Sequence, residues 1–144
     1  MTSETVGDGP DPAACPCGSG AAEDRCCGRF LRGEAQAPTA EQLMRSRYTA
    51  FARQDAPYLL ATWHPSTRPK RVRFDPGRRW VGLEVLETTG GGMLDAEGSV
   101  SFVAHHERDG RRRELREVSL FVRDDGRWRY LGPVDASLGG DGPA

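Results

Sequence analysis

The residues with the clearest chemical capacity in this sequence are four cysteines that lie within thirteen consecutive positions: Cys15, Cys17, Cys26 and Cys27. Four thiolates can fill the tetrahedral shell of a zinc ion and leave no position open for a substrate, which is typical of a structural site. The Pro and Gly residues around the first pair favour a turn that lets its sulfur atoms converge. We therefore predict one structural Zn²⁺ per chain, with buried free thiols or disulfides as the alternative.

Cys26 and Cys27 are adjacent in the sequence, which limits the backbone that can present both to one ion. Consecutive side chains diverge in a strand, whereas at the start of a helix they lie about 100° apart and can both reach a metal. The pattern therefore predicts a short helix at this pair, with Phe30 and Leu31 available to pack against the rest of the protein.

The charge of the chain is unevenly distributed, although its net value at pH 7 is −1. Residues 1–24 contain five acidic and no basic side chains, whereas residues 25–79 contain twelve Arg or Lys and four acids. Residues 80–144 contain eight basic and twelve acidic side chains. A middle third this basic could face an anion, a nucleic acid or an acidic protein, and a solvated surface is the alternative.

The sequence carries no signal of secretion or of membrane insertion. Residues 1–12 have neither a basic stretch nor the apolar segment of a signal peptide, and no apolar run approaches the ~20 residues that cross a bilayer. The length of 144 residues suits one domain with a small appendage. We expect a cytoplasmic protein without a membrane partner, and a reducing compartment favours a metal site over disulfides.

Two helices are predicted after the cysteine segment. The first begins at Thr39, which forms a capping box with Gln42, and its apolar residues recur at helical spacing to about Arg53. Asp55 is the predicted cap of a second helix, with Pro57 in its first turn. That helix continues through Trp63, and His64-Pro65 ends it.

The pattern then changes to alternation, which predicts four strands. Their apolar residues lie in the segments 81–85, 100–104, 118–122 and 128–131. Asp109-Gly110 and Asp125-Gly126 are signals of hairpin turns between the last three strands. Two helices followed by four antiparallel strands predict an α+β domain with the helices on one face of the sheet.

The cysteine segment resembles a known zinc module. Residues 15–20 read CPCGSG and residues 26–28 read CCG, which is similar to the SEC-C motif at the carboxyl end of the preprotein translocase ATPase. All four ligand positions match. In the translocase this module is linked to binding a chaperone and ribosomes. Residues 21–25 lack the lysines and the aromatic residue usual there, so the basic contact surface of the module is not matched.

A second resemblance covers almost the whole chain. The segment 39–55, Tyr58-Leu59 and the segment 62–69 resemble the YchJ family of bacterial proteins, and so do later residues from Trp80 to Tyr130. The resemblance implies a nuclear transport factor 2-like domain, in which helices pack in a curved antiparallel sheet that forms a cone with a pocket. The resulting division is a disordered leader (1–14), a zinc knuckle (15–32), the cone domain (39–134) and a flexible tail (135–144).

The candidate pocket residues come from the two helices: Arg47, Tyr48, Trp63, His64 and Arg68. His64 could act as an acid or base, or could cap carbonyl groups at the end of its helix. Arg47 and Tyr48 lie about 100° apart on a helix, so we expect Tyr48 to line the cavity and Arg47 to be a rim contact or an ion-pair partner. We assign no catalytic residue.

Some aromatic and histidine residues of the strands are predicted to be structural. Trp80, Trp128 and Tyr130 are expected to pack in the core and across strands. His105 and His106 are adjacent on a strand, so they point to opposite faces, and we expect both at the surface.

Three functions remain open at this stage. The first is a non-enzymatic adaptor that contacts a protein or the ribosome through the zinc knuckle. The second is a small-molecule binding protein or enzyme that uses the cone pocket. It requires that Trp80, Phe102 and Phe121 do not fill that pocket. The third is contact with RNA or the ribosome through the basic loop 68–79.

Overall fold

The structure is a computed structural model that describes residues 14–134. The predicted leader, apart from Ala14, and the predicted tail lie outside the described residues. The elements are a 3₁₀ turn (Glu23–Arg25), helices α1 (Cys27–Leu31), α2 (Ala40–Arg53) and α3 (Ala56–Ala61), and strands β1 (Arg79–Gly90), β2 (Glu97–Arg108), β3 (Arg111–Asp124) and β4 (Arg127–Pro133). This order confirms the α+β prediction.

Helix α2 begins and ends where its sequence indicates. The Thr39 hydroxyl accepts a hydrogen bond from the Gln42 amide at 3.2 Å and donates one to the Gln42 side chain at 3.1 Å. Gln54 ends the helix in the left-handed conformation, with φ of 57°. Asp55 then caps α3 by accepting a hydrogen bond from the Tyr58 amide at 3.1 Å. None of the helices in residues 14–134 could span a membrane, since the longest, α2, has 14 residues.

The second helix is shorter than predicted. It ends at Ala61 because the Thr62 hydroxyl donates to the Tyr58 carbonyl at 2.8 Å. Trp63 then forms a parallel bridge with Tyr130, and the amide of His64 donates to the Tyr130 carbonyl at 2.8 Å. The backbone after Ala61 therefore pairs with the free edge of β4 and does not continue the predicted helix.

The four strands form one antiparallel sheet in the order β1-β2-β3-β4. The two predicted hairpin turns are confirmed, since all four of their residues have positive φ: Asp109, Gly110, Asp125 and Gly126. The β1–β2 connection is closely packed. A Cβ on Gly91 would lie 2.7 Å from the Cβ of Ala40, at the start of α2, and one on Gly98 would lie 2.4 Å from the Cα of Gly91.

Helix α2 packs on one face of the sheet, which we call the inner face. The side chains of this face are buried and alternate along the strands, as in Val100, Phe102 and Ala104 of β2. β3 and β4 contribute Phe121, Trp128 and Tyr130, and α2 contributes Leu43, Met44 and Tyr48. The prediction that Trp128 and Tyr130 are core residues is confirmed.

Candidate functional site

The four cysteines converge as the sequence predicted. Their Sγ atoms all lie within 4.8 Å of one another, with 3.6 Å between Cys17 and Cys26 and 4.0 Å between Cys26 and Cys27. A tetrahedral metal with bonds of about 2.3 Å to sulfur requires sulfur atoms about 3.8 Å apart. A disulfide requires about 2.05 Å, and all four thiols are free. The arrangement can therefore hold one tetrahedral metal ion.

Local backbone structure places the sulfur atoms. The amide of Cys15 donates to the carbonyl of Ala21 at 2.9 Å, which closes the loop that carries Cys17. Gly18 allows the tight turn with φ of 82°. Cys26 caps α1 and Cys27 is its first residue, so the predicted helix at the vicinal pair is confirmed.

The cysteine segment is not separate from the sheet domain. Cys15, Cys17 and Cys27 are buried in the same apolar cluster as Leu43 and Met44. Two hydrogen bonds also join the cysteine segment to α2. Cys15 Sγ lies 3.6 Å from the Thr49 hydroxyl, and the Arg45 guanidinium donates to the Cys17 carbonyl at 2.8 Å. Arg53 pairs with Glu23 of the 3₁₀ turn. The site thus lies at the contact between the knuckle and α2.

The electrostatics of the cluster favour a bound cation. Hydrogen bonds from Cys17 and Cys27 lower the pKa of Cys15, so one thiolate is stabilised by its neighbours. The hydrogen bonds that Cys27 donates to Cys15 and Cys17, together with burial, raise the pKa of Cys27. Four thiolates therefore cannot form together here without a positive charge. A metal cation provides that charge, because thiolates bind it in the deprotonated form.

The inner face encloses a cavity of about 30 Å³. This volume holds one or two water molecules, whereas pockets for small ligands measure about 300–1,000 Å³. The inner face is largely filled by side chains that include Trp80, Phe102 and Phe121. A ligand pocket required that these side chains leave the space open. The full lining is Met44, Arg47, Tyr48, Phe51, Trp80, Phe102, Ala104, Glu117, Ser119, Phe121 and Tyr130.

Arg47 lies inside the protein, so the expectation that it occupies the rim was wrong. It is only 5% exposed, and its guanidinium donates to the Leu59 carbonyl at 2.8 Å and to the Thr62 hydroxyl at 2.7 Å. The guanidinium also lies 4.9 Å from the ring of Trp63 and 4.5 Å from that of Tyr130. Burial lowers the pKa of Arg47 to about 10. Its long side chain bends toward the backbone acceptors of α3, which sequence spacing alone does not indicate.

Tyr48 lines the cavity, and burial raises its pKa to about 12. The sequence analysis missed Glu117, whose carboxylate accepts hydrogen bonds from the Ser119 hydroxyl at 2.6 Å and the Tyr130 hydroxyl at 3.1 Å. A signal was available: Glu117 is in phase with Ser119 and Phe121 on β3, so alternation places it on the inner face.

The other candidate residues do not line this cavity. Arg68 donates twice to the Trp63 carbonyl, at 2.8 and 3.1 Å. His64 Nδ1 accepts from the Ser66 amide at 3.1 Å. Trp63 is 6% exposed and packs on Tyr130 with ring centroids 5.3 Å apart. These three side chains thus hold the segment after α3 in place and are not gathered around a common ligand.

The two adjacent histidines differ more than the sequence indicated. His106 faces inward at 8% exposure and contacts Trp80 with ring centroids 5.2 Å apart, so its predicted surface position was wrong. Burial lowers its pKa. His105 lies on the opposite face, where Nε2 is 2.7 Å from the carboxylate of Glu84. The sequence placed them correctly on opposite faces and missed that the inner face is packed at this position.

Comparison with known proteins gives consistent matches. Residues 39–133 match the family model described as the YchJ middle NTF2-like domain. A UPF0225 protein of Streptomyces coelicolor is 54% identical over 116 residues, covering 81% of this chain and 90% of its own length. One from Chromobacterium violaceum is 50% identical over 123 residues, covering 83% of this chain and 90% of its own.

Solved structures agree with these matches. The solution structure of a SEC-C motif containing protein from Rhodopseudomonas palustris is similar, with a TM-score of 0.73 and 34% identity over 84% of this chain and 98% of that one. A crystal structure of a SEC-C motif containing protein from Psychrobacter arcticus has a TM-score of 0.68 at 24% identity over 83% and 81% of the two chains, which supports the fold alone. The cysteine cluster, the helix and sheet order, and these similarities together show that the chain belongs to the YchJ family.

Proposed function

We propose that this protein is a zinc-stabilised, non-enzymatic binding protein that contacts another macromolecule through its cysteine knuckle. The observation that carries the proposal is the cluster of four sulfur atoms within 4.8 Å of one another. Four sulfur ligands leave no coordination position for a substrate, so the metal acts on structure.

Zinc is the metal that the donor set favours. Thiolates are soft ligands, and a tetrahedral set of four suits Zn²⁺ or an iron–sulfur centre. The ligand spacing fits a single ion, because the measured sulfur separations of 3.6 and 4.0 Å bracket the tetrahedral value of about 3.8 Å. The similar protein from Rhodopseudomonas palustris also carries the SEC-C motif.

A surface role is favoured over a ligand pocket on the inner face by two features. The inner cavity of about 30 Å³ is too small for a metabolite. One side of the knuckle packs on α2, while the residues 18–22 on its other side are exposed. These are small residues, so a partner that docks here would contact the backbone of the loop more than long side chains.

The first test is metal analysis of protein purified without added metal. We expect about one equivalent of zinc per chain in the wild type and in a Ser101→Ala control, because Ser101 lies on β2 and outside the knuckle. Cys26→Ser should bind zinc much more weakly. Cys26 is the least buried of the four, so this change disturbs the core least. Wild-type protein with no metal and four freely titrating thiols would contradict the proposal.

The second test addresses the partner. Zinc-loaded wild type and Ser101→Ala are compared with Cys26→Ser as baits in a bacterial lysate, with bound material identified by mass spectrometry. We expect partners that are retained by the first two baits and lost with Cys26→Ser. Identical retention by all three would mean that the knuckle is not the contact surface, whatever the result for the metal.

A further inference from the structure

The fold joins two basic segments that lie far apart in the sequence. The loop 68–79 and the β2–β3 hairpin 107–114 meet at one end of the sheet, and we call this surface the basic end. The two segments contain ten Arg or Lys and four acidic side chains, a net charge of +6 in a protein whose total is −1. A surface with such an excess of one sign attracts ligands of the opposite charge.

Sheet register and side-chain contacts fix this arrangement. Arg79, the first residue of β1, pairs with Glu107 near the end of β2. The next residue of β2, Arg108, forms an ion pair with Asp75 of the loop. Gly77 lies close enough that a Cβ added there would be 3.5 Å from the Arg108 guanidinium carbon. The two segments therefore form one continuous surface.

Most of the positive charge at the basic end is not neutralised within the protein. Arg79 and Arg112 pair with Glu107, and Arg108 pairs with Asp75. Arg68 bonds to the Trp63 carbonyl. Among residues 14–134, no carboxylate lies within ion-pair distance of the other side chains of the basic end: Lys70, Arg71, Arg73, Arg78, Arg111 and Arg113. All of these except Arg78 are largely exposed.

A cleft between the loop and the end of α2 adds aromatic surface to this charge. Its volume is about 210 Å³, and its lining includes Phe74, Trp80, Arg73 and Arg78. The Arg78 guanidinium lies 5.3 Å from the ring of Trp80, and its buried Nε has no hydrogen-bond partner among the described residues. The cleft therefore combines aromatic rings with arginine side chains, and the one carboxylate of its lining, Asp75, pairs with Arg108.

We propose that the basic end binds single-stranded nucleic acid. Exposed arginines along the loop and the hairpin contact successive phosphates, and an unpaired base enters the cleft beside Phe74 and Trp80. Proteins that hold single strands combine a positive track with aromatic rings on which bases stack. An acidic protein would use the charges and leave the aromatic cleft without a partner. No residue of the cysteine knuckle lines the cleft, so this inference is independent of the metal site.

The test is fluorescence anisotropy of a labelled 20-nucleotide RNA of mixed sequence, and of the matching DNA, with full-length zinc-loaded protein. The basic-end variant is Arg71→Gln with Arg111→Gln, since neither side chain has a hydrogen-bond or ion-pair partner among the described residues. Each lost phosphate contact should lower the slope of log K against log salt by about 0.7. Two lost contacts therefore weaken binding by about 25-fold at 0.1 M salt.

The matched control removes the same charge elsewhere: Arg25→Gln in the knuckle with Arg127→Gln at the start of β4. We expect binding within about twofold of wild type. Phe74→Leu tests the cleft and should weaken binding by about five- to a hundredfold with an unchanged salt slope, because stacking releases no counterions. Circular dichroism checks that each variant is folded.

Several outcomes would overturn the proposal. The first is that neither oligonucleotide binds measurably at 50 mM salt. The second is that the basic-end variant and the control variant lose the same amount of affinity. The third is that a polyglutamate peptide of equal charge binds as tightly as the oligonucleotides. Binding of RNA, of DNA or of both supports it, and the comparison of the two shows which nucleic acid is preferred. Because zinc content is measured separately, a negative result here leaves the proposed role of the knuckle unchanged.

Discussion

The cysteine cluster and the inner cavity are both places where polar groups converge beneath the surface, and they are built differently. The cluster gathers four identical donors from thirteen consecutive residues around a space that fits one ion. The cavity gathers Arg47, Glu117 and Tyr130 from three elements around a space of about 30 Å³. The sulfur atoms of the first site match the geometry around one tetrahedral cation, whereas the polar groups of the other bond to each other and to the backbone.

The difference shows when converging polar residues indicate a ligand site and when they do not. At the cluster, the four thiols can all ionise together only with an external positive charge, so the arrangement is suited to a metal cation. At the cavity, Glu117 accepts from Ser119 and Tyr130, and Arg47 donates to α3. Buried polar groups that are satisfied internally hold a core in one arrangement and have no need of a ligand.

The largest expected effect is on the zinc affinity of the cysteine cluster. Cys17→Ser should lower zinc affinity by more than about 100-fold, because the ligand itself is lost, and losing even a supporting partner costs 10–100-fold. Acid should release the metal from the wild type for the same reason, since thiolates bind zinc only when deprotonated. Competition with a chromogenic chelator measures both effects.

Metal loss also tests how far the two regions are coupled. The sequence predicts that residues 39–131 fold without the knuckle, so a chelator should leave the β-sheet circular dichroism signal in place. The shared cluster with Leu43 and Met44 indicates a cost of about 2 kcal/mol, or about 10 °C in Tm, from newly exposed apolar surface. Loss of the sheet signal at room temperature would show instead that the knuckle and the sheet domain unfold together.

The cavity side is tested through its buried arginine. Arg47→Ala should lower the free energy of unfolding by about 3 kcal/mol, because the Leu59 carbonyl loses a charged donor and Trp63 loses a packing partner. Urea denaturation measures the change. Arg45→Ala is the control on the same helix, and it should cost less because that side chain is more exposed. Equal stability of Arg47→Ala and wild type would mean that the guanidinium is not part of the core.

The smallest expected effect is the response to base. Burial raises the pKa of Tyr58 to about 12, whereas the unfolded value is about 10. Above pH 10 the unfolded state loses this proton first, so stability falls as pH rises from 10 to 12, by about 2 kcal/mol for this residue. The buried Arg47, whose pKa is lowered, opposes this trend.

Tyr58→Phe isolates the contribution of that hydroxyl. At pH 8 the variant should be about 1 kcal/mol less stable than wild type, because it loses the hydrogen bond of 2.7 Å to Ser46. The gap should close and then reverse as pH approaches 12. A difference that stays constant from pH 8 to pH 11.5 in urea titrations would contradict the role of the buried phenol.

Local sequence determined the cysteine cluster, the helix caps and the hairpins. Four cysteines within thirteen residues are held close together by the chain itself, so their spacing was enough to predict the cluster. Thr39 and Asp55 begin their helices because each side chain accepts the amide hydrogen three residues ahead. The Asp-Gly turns follow from backbone conformations that these residues adopt at low cost.

Tertiary structure alone decided what depends on contacts between distant segments. Trp63, which the sequence pattern had assigned to a helix, pairs instead with the free edge of β4. The side chains of four strands and α2 filled the cavity, and only their combined volume determines how much room is left. The pairing of Arg79 with Glu107 brought two basic segments together. Helical and strand periods specify which face a residue occupies, and the sum of packed volumes and strand register specifies what that face meets.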